Sequence, residues 1–143
     1  MFVIDYGCKK NYFALKVRNN GFFDINGFIL SVGNDKLKNP VVNLIPLEED
    51  KASSEGFYLF KPALSATNEL TTIFSNHEKT PDGRIKEIDF NELKIIKIQP
   101  FIIDKKSGEK ILCENIIKQE INNCNILGRE MKITSVFENN GII

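Results

Sequence analysis

The chain has 143 residues, with 19 basic and 19 acidic side chains, a formal net charge of zero and 42% hydrophobic residues. That length fits one domain, 1–143, burying roughly two thirds of its unfolded surface. The charge balance argues against a general nucleic-acid binder and gives no support for electrostatic attachment to anionic lipid. No run approaches the ~18 apolar residues of a membrane-spanning helix.

The opening MFVIDYGCKK has neither a basic segment nor a long apolar one, so it does not read as a signal peptide. Strand-like residues begin at once, as in the soluble part of a longer chain, and Phe2-Val3-Ile4 reads as a short edge strand or the stub of a helix. From Asn11 to Arg18 the chain alternates, with Phe13, Leu15 and Val17 on one face and Tyr12, Ala14, Lys16 and Arg18 on the other. That is a strand with one face on a core. Asn19-Asn20-Gly21 then offers residues that tolerate positive φ, a turn signal.

In FFDINGFILSVGND the apolar phase runs through Phe23 and Ile25, then shifts to Phe28, Leu30 and Val32, with Gly27 at the shift. One extra residue there, as in a β-bulge, returns the apolar side chains to one face. Lys36 to Ser54 reads as an irregular connection with a short strand at Val41 to Ile45. Phe57 to Phe60 is a strand ended by Pro62, and Leu64 to Gly83 is a polar stretch holding a strand near Leu70 to Phe74 and a Pro81-Asp82-Gly83 turn.

Leu93 to Ile121 is the chain's apolar centre: two Ile-rich arms flank the polar segment Asp104 to Glu109, the pattern of a hairpin. Ile96, Ile98 and Ile102 share a face of the first arm, and Ile111 and Cys113 share one of the second. A short helix over Cys113 to Ile121 is the minority reading. Asn122 to Gly128 reads as a loop, and Glu130 to Phe137 alternates like a final strand. Short alternating runs between turns, without helical periodicity, predict an all-β fold, an immunoglobulin-like antiparallel sandwich of about seven to nine strands.

Signals of chemistry are sparse. The single histidine, His77, sits in the polar run Ser75-Asn76-His77-Glu78, where a solvated loop side chain is the expectation. Cys8, Cys113 and Cys124 show no metal-ligand spacing. Their number fits either one disulfide with a free thiol or three reduced thiols. Glu48-Glu49-Asp50 lacks the spacing of a calcium loop, and the glycines form no phosphate cradle. Neither a cofactor nor catalysis is expected, because acid–base chemistry draws on histidine or paired carboxylates in a pocket. Of the aromatic residues, Tyr58 is a candidate for a ligand-contacting loop.

The run LKVRNNGFFDINGFILSVGND, with L-x-V-x-N-x-G followed by D-I-x-G-F, resembles the first hairpin of the extracellular β-domains of archaeal type IV pilin-like and archaellin-like proteins. ELKIIKIQPFIIDKKSGEKILCENIIKQEI is similar to that family's closing hairpin, an I-x-I-x-P strand before a polar turn and a cysteine-bearing strand. The resemblance spans Leu15 to Asp35 and Glu92 to Ile121. It implies a non-enzymatic structural or adhesive domain of an archaeal cell-surface filament, extracellular and partnered by other protein subunits, with no membrane contact by this segment. The family's apolar N-terminal helix is not found in this sequence. In that setting Cys8 is expected to pair with Cys113. The alternative is a ligand- or carbohydrate-binding module using Tyr58 or the acidic run, and an enzymatic reading would have to rest on His77.

Overall fold

A computed structural model describes residues 1–9, 11–79, 82 and 84–122. Ten strands follow in chain order: β1 (Phe2–Lys9), β2 (Tyr12–Arg18), β3 (Ile25–Gly33), β4 (Val42–Pro46), β5 (Tyr58–Leu64), β6 (Glu69–Lys79), β7 (Ile85–Glu87), β8 (Ile95–Ile103), β9 (Lys110–Leu112) and β10 (Ile117–Glu120). Single 3₁₀ turns at Glu49–Lys51 and Phe90–Glu92 are the only helical pieces among the described residues. The expectation of an all-β chain holds.

The strands form one curled antiparallel sheet in the order β1-β2-β6-β4-β3-β8-β10, with β5 on β3, β7 on β6 and β9 on β8. Strand β4 joins the halves, pairing with β3 through Ser31↔Asn43 and with β6 through Pro46↔Phe74. Curling brings one face of each half inward. Phe13, Leu15 and Val17 of β2, Phe28, Leu30 and Val32 of β3, Leu44 of β4, Phe74 of β6, and Ile96 and Ile98 of β8 all belong to one buried cluster. Phe28 lies at its centre, with ring centroids 5.4 Å from Tyr58, 5.7 Å from Phe60 and 5.7 Å, edge-on, from Phe74. Such offset and edge-on arrangements suit the aromatic quadrupole.

An irregularity is present beside Gly27, but the extra residues lie on β5 and not on β3: two steps of β3 face five of β5. β3 pairs with β5 through Ile25↔Leu64 and Gly27↔Leu59, with the register shifting between them. Gly27 is also where backbone and ring crowd closest: a Cβ there would stand 2.3 Å from the Tyr58 carbonyl oxygen and 2.4 Å from Phe101 Cζ. No side chain fits.

Several elements depart from the sequence reading. β1 is a full eight-residue strand rather than a stub. β5 continues through Pro62 instead of ending there, because Pro62 falls in the shifted stretch between Leu59 and Leu64, where a missing ladder donor is tolerated. β6 has eleven residues and so runs well past the strand expected near Leu70 to Phe74. Thr72 and Asn76 are buried polar positions of that strand, and the Thr72 hydroxyl donates to the Leu15 carbonyl at 2.9 Å. The 104–109 turn is as expected, and Ile117–Glu120 forms β10 where a helix was the minority reading. Ile111 and Leu112 of the second arm are about half exposed rather than core. The strand expected over Glu130 to Phe137 lies outside the described residues, as do most of the 122–128 loop and Pro81 and Gly83 of the expected turn.

Ile121, just after β10, is buried in the core, and its amide donates to the Lys94 carbonyl at 2.9 Å. Asn122 then meets β1. Its amide donates to the Tyr6 hydroxyl at 3.2 Å, and that hydroxyl donates to the Asn122 carbonyl at 3.5 Å. The segment after β10 is thereby held against β1, at the far end of the strand order.

Gly27→Ala is expected to cost at least about 3 kcal/mol, since backbone and packed aromatic atoms must both move. Gly33→Ala, where the nearest atom to a Cβ is Ile95 Cγ2 at 3.4 Å, should cost under about 1 kcal/mol. Urea unfolding followed by circular dichroism compares the two, and equal costs would contradict the crowding at Gly27.

Candidate functional site

Two surface features lie at the two ends of β3. Eight residue steps separate Ile25 from Gly33, about 26 Å of extended chain.

Before β3, the loop 19–24 is built on one buried side chain. Asn19 is fully buried, and its Nδ2 donates to the Phe23 carbonyl at 2.7 Å and to the Leu64 carbonyl at 2.9 Å. Its Oδ1 accepts from the Gly21 amide at 3.0 Å. Its backbone amide donates to the Asn68 carbonyl at 3.0 Å, and its own carbonyl accepts from the Thr67 amide at 2.7 Å. The expected Asn-Asn-Gly turn is thus present, but it is made by a side chain rather than by positive φ. Among the described residues the positive-φ positions are Gly56, Thr67 and Gly108.

Held by this anchor, Phe22 is 95% and Phe23 79% exposed. Two adjacent phenylalanines this exposed carry a standing cost in water, and exposed apolar patches on otherwise polar surfaces mark interaction sites. Arg18 and Lys16, next to the loop, both reach Glu69, at 2.9 Å and 3.2 Å. The hydrogen bond from Lys16, followed by the charges of Lys16 and Arg18, holds the Glu69 carboxyl below its ordinary range. Arg18 also lies over the Phe2 ring, 5.8 Å from its centroid.

After β3 lies a cleft of about 340 Å³, near the lower end of ligand-pocket sizes. Val32, Pro40, Val41, Val42, Ile88 and Leu93 give it an apolar lining. Around them stand the carboxylates of Asp35, Glu78, Glu87, Asp89 and Glu92, against the two cations of Lys38 and Lys86. Five negative and two positive groups leave the lining at −3. Val41, and Leu37 on the same β3–β4 connection, are 76% and 89% exposed, which extends the apolar surface outward. No group of three or more His, Cys, Asp or Glu that could hold a metal ion occurs among the described residues.

The residues singled out from sequence fall elsewhere. Tyr58 is a core residue, 5% exposed and stacked on Phe28, so it cannot be a surface contact. Burial, with lesser contributions from Glu48 and Asp50, pushes its pKa up to about 12 and keeps the phenol neutral. His77 is not in a loop: it lies in β6 opposite Glu87 of β7, and it does not line the cleft. The acidic run 48–50 leads into an exposed 3₁₀ turn.

The expected Cys8–Cys113 bridge is not formed. Cys113 is a free thiol whose amide donates to the Pro100 carbonyl beside β8, whereas Cys8 is disulfide-bonded inside β1. The chain's third cysteine, Cys124, lies outside the described residues. Burial pushes the Cys113 thiol above its ordinary pKa, with the N-terminal ammonium opposing weakly.

Phe23 keeps the apolar phase of Ile25, which reads as strand, yet the sequence holds the signal against this. A strand alternates inward and outward with period two, so two neighbouring bulky rings cannot both face the core. Asn-Asn-Gly before them and Asp24 after them bound a loop.

Asn19→Ala should destabilise the fold by about 1–3 kcal/mol, because it strands buried backbone groups. The double substitution Phe22→Ser, Phe23→Ser should stay within about 0.5 kcal/mol of wild type. A large cost for the phenylalanine pair in urea melts would mean that the rings are packed. For the thiols, iodoacetamide on unreduced, unfolded protein should label Cys113 and leave Cys8 unlabelled until reductant is added. Peptide mapping that finds Cys8 alkylated without reductant would contradict the assignment.

Compared with known proteins, the chain matches no protein-family model, no curated protein and no solved structure.

Proposed function

We propose that this chain is a non-enzymatic structural or adhesive domain that joins a larger protein assembly through the Phe22–Phe23 loop. The carrying observation is the contrast at that loop. A fully buried asparagine with all its polar groups bonded fixes the backbone, while the two rings it presents stay almost wholly in water. Rigid presentation lowers the entropy lost on binding, and aromatic anchors dominate protein interfaces. The cell-surface filament implied by the family resemblance is one form such an assembly takes. In the same proposal the curled sheet is read as an immunoglobulin-like sandwich, supported by the inward alternation of β2, β3 and β8 and by the meeting of Phe28 with Phe74.

The alternative, a ligand-binding module, moves from Tyr58 to the acidic-rimmed cleft, whose size and apolar lining favour a small cationic or apolar group.

Gradient sedimentation of native material tests the assembly reading. Wild-type protein is expected in a fast-sedimenting fraction, and the Phe22→Ser, Phe23→Ser variant, with its melting temperature unchanged, in the slow monomer fraction. Wild type found only as monomer, or a variant incorporated as well as wild type, would count against the reading. Melting raised by a small amine or a glycan, and abolished by changes in the cleft, would favour the alternative.

A further inference from the structure

We propose that Cys8 and Cys124 form a disulfide that closes the curled sheet, a covalent clasp between β1, first in the strand order, and the chain that follows β10, the last. The inference does not depend on the Phe22–Phe23 loop. Three observations carry it.

The first is a count. The chain has three cysteines, Cys8, Cys113 and Cys124. Cys8 is disulfide-bonded and Cys113 is a free thiol. Within one chain the remaining partner is Cys124, which lies outside the described residues. Cys8 is wholly buried in the core cluster, where a cysteine of a second molecule does not reach.

The second is position. Asn122 is tied through its amide and its carbonyl to the Tyr6 hydroxyl. Tyr6 and Cys8 stand two residues apart in β1, and both belong to the buried cluster. Two steps along a strand cover about 7 Å. Cys124 likewise stands two residues beyond Asn122, a step of at most about 7 Å. The cysteines are 116 positions apart, the separation that also divides Tyr6 from Asn122. A contact already made at one pair is thus followed by a cysteine on both segments.

The third is topology. Among the described residues β1 pairs with β2 alone and β10 with β8 alone, so these two strands are the ends of the sheet. Ile121 donates its amide to the Lys94 carbonyl beside β8, and the next residue is already at β1. Two side-chain hydrogen bonds are a weak closure for such a seam. A covalent bond across so long a loop also removes much freedom from the unfolded chain. Disulfides persist in oxidising compartments, which suits the cell-surface setting proposed above.

A dithiol undoes the clasp. Each cysteine sulfur gains a hydrogen, the dithiol leaves as its own disulfide, and the seam opens.

The pairing is tested on wild type. Trypsin cuts after lysine and arginine, so the cysteines fall in three separate peptides, 1–9, 111–118 and 119–129. Protein alkylated without reductant is expected to give 1–9 linked to 119–129, with 111–118 carrying the alkyl group. Peptide 1–9 found alkylated, linked to 111–118 or linked to a second copy of itself overturns the inference.

Hydrogen exchange with and without dithiothreitol tests the clasp. On reduction the Ile121 and Asn122 amides should exchange at least about tenfold faster while β3 and β8 stay protected, and the melting temperature should fall by at least about 5 °C. Cys124→Ser should match reduced wild type and ignore dithiothreitol, and Cys113→Ser should match oxidised wild type. Unchanged exchange at Ile121 and Asn122 overturns the clasp. Loss of protection in every strand at once overturns it too, by making the bond a condition of the whole fold.

Discussion

The packing of Phe28 of β3 against Phe74 of β6 is the contact on which the rest of the structure depends. The two residues lie in different halves of one curled sheet, and they touch only because β4 hands the sheet from one half to the other. Gly27 makes this possible. It gives up its side chain so that the Tyr58 carbonyl and the Phe101 ring can close on the backbone, and Ile25 and Phe28 on either side of it both join the buried cluster. A residue with a Cβ at 27 would push β5 or β8 away and open the aromatic cluster that Tyr58 and Phe60 complete.

Once that contact is set, β3 becomes a rigid strut. Its inner residues are core, β8 pairs along nearly its whole length, and β4 and β5 share its other edge. The loop before it and the cleft after it are therefore fixed relative to each other. Asn19 extends this rigidity to the loop by bonding the chain on both sides of the turn and the β5–β6 connection beside it. Apolar side chains in water are ordinary when they are scattered on mobile loops. Here they sit on a backbone ordered by buried hydrogen bonds, which is the arrangement a binding surface needs.

The core was readable wherever period-two alternation is clean. Phe13, Leu15 and Val17 face inward as the pattern implies, and so do Ile96 and Ile98. The phase change at Gly27 marked an irregularity there, but not that its extra residues belong to β5, whose pairing with β3 no local pattern reveals. The full length of β6 was not readable: only Leu70 to Phe74 reads as strand, because the inward side also includes Thr72 and Asn76, whose burial depends on partners that no local pattern reveals. The Thr72 hydroxyl finds the Leu15 carbonyl, 57 positions away in sequence. The candidate site was largely illegible. Its cleft gathers the β3–β4 connection, the end of β6 and residues 86–93, three stretches that nothing in the sequence links to one another. Tyr58 misled because a tyrosine between turns reads as surface, whereas its ring here completes the stack on Phe28. Cysteine pairing was equally beyond sequence reading, since it depends on which strands become neighbours.

The central claim is that the rigidly held Phe22–Phe23 loop is the surface through which this domain joins its assembly. Amide nitrogen–proton spectra of isotopically labelled protein, recorded as unlabelled native assembly material is added, test it most directly. The account predicts that residues 20–24 shift or broaden first while the inner strands stay still. Spectra that do not change, or changes at other surfaces with residues 20–24 unmoved, would contradict it.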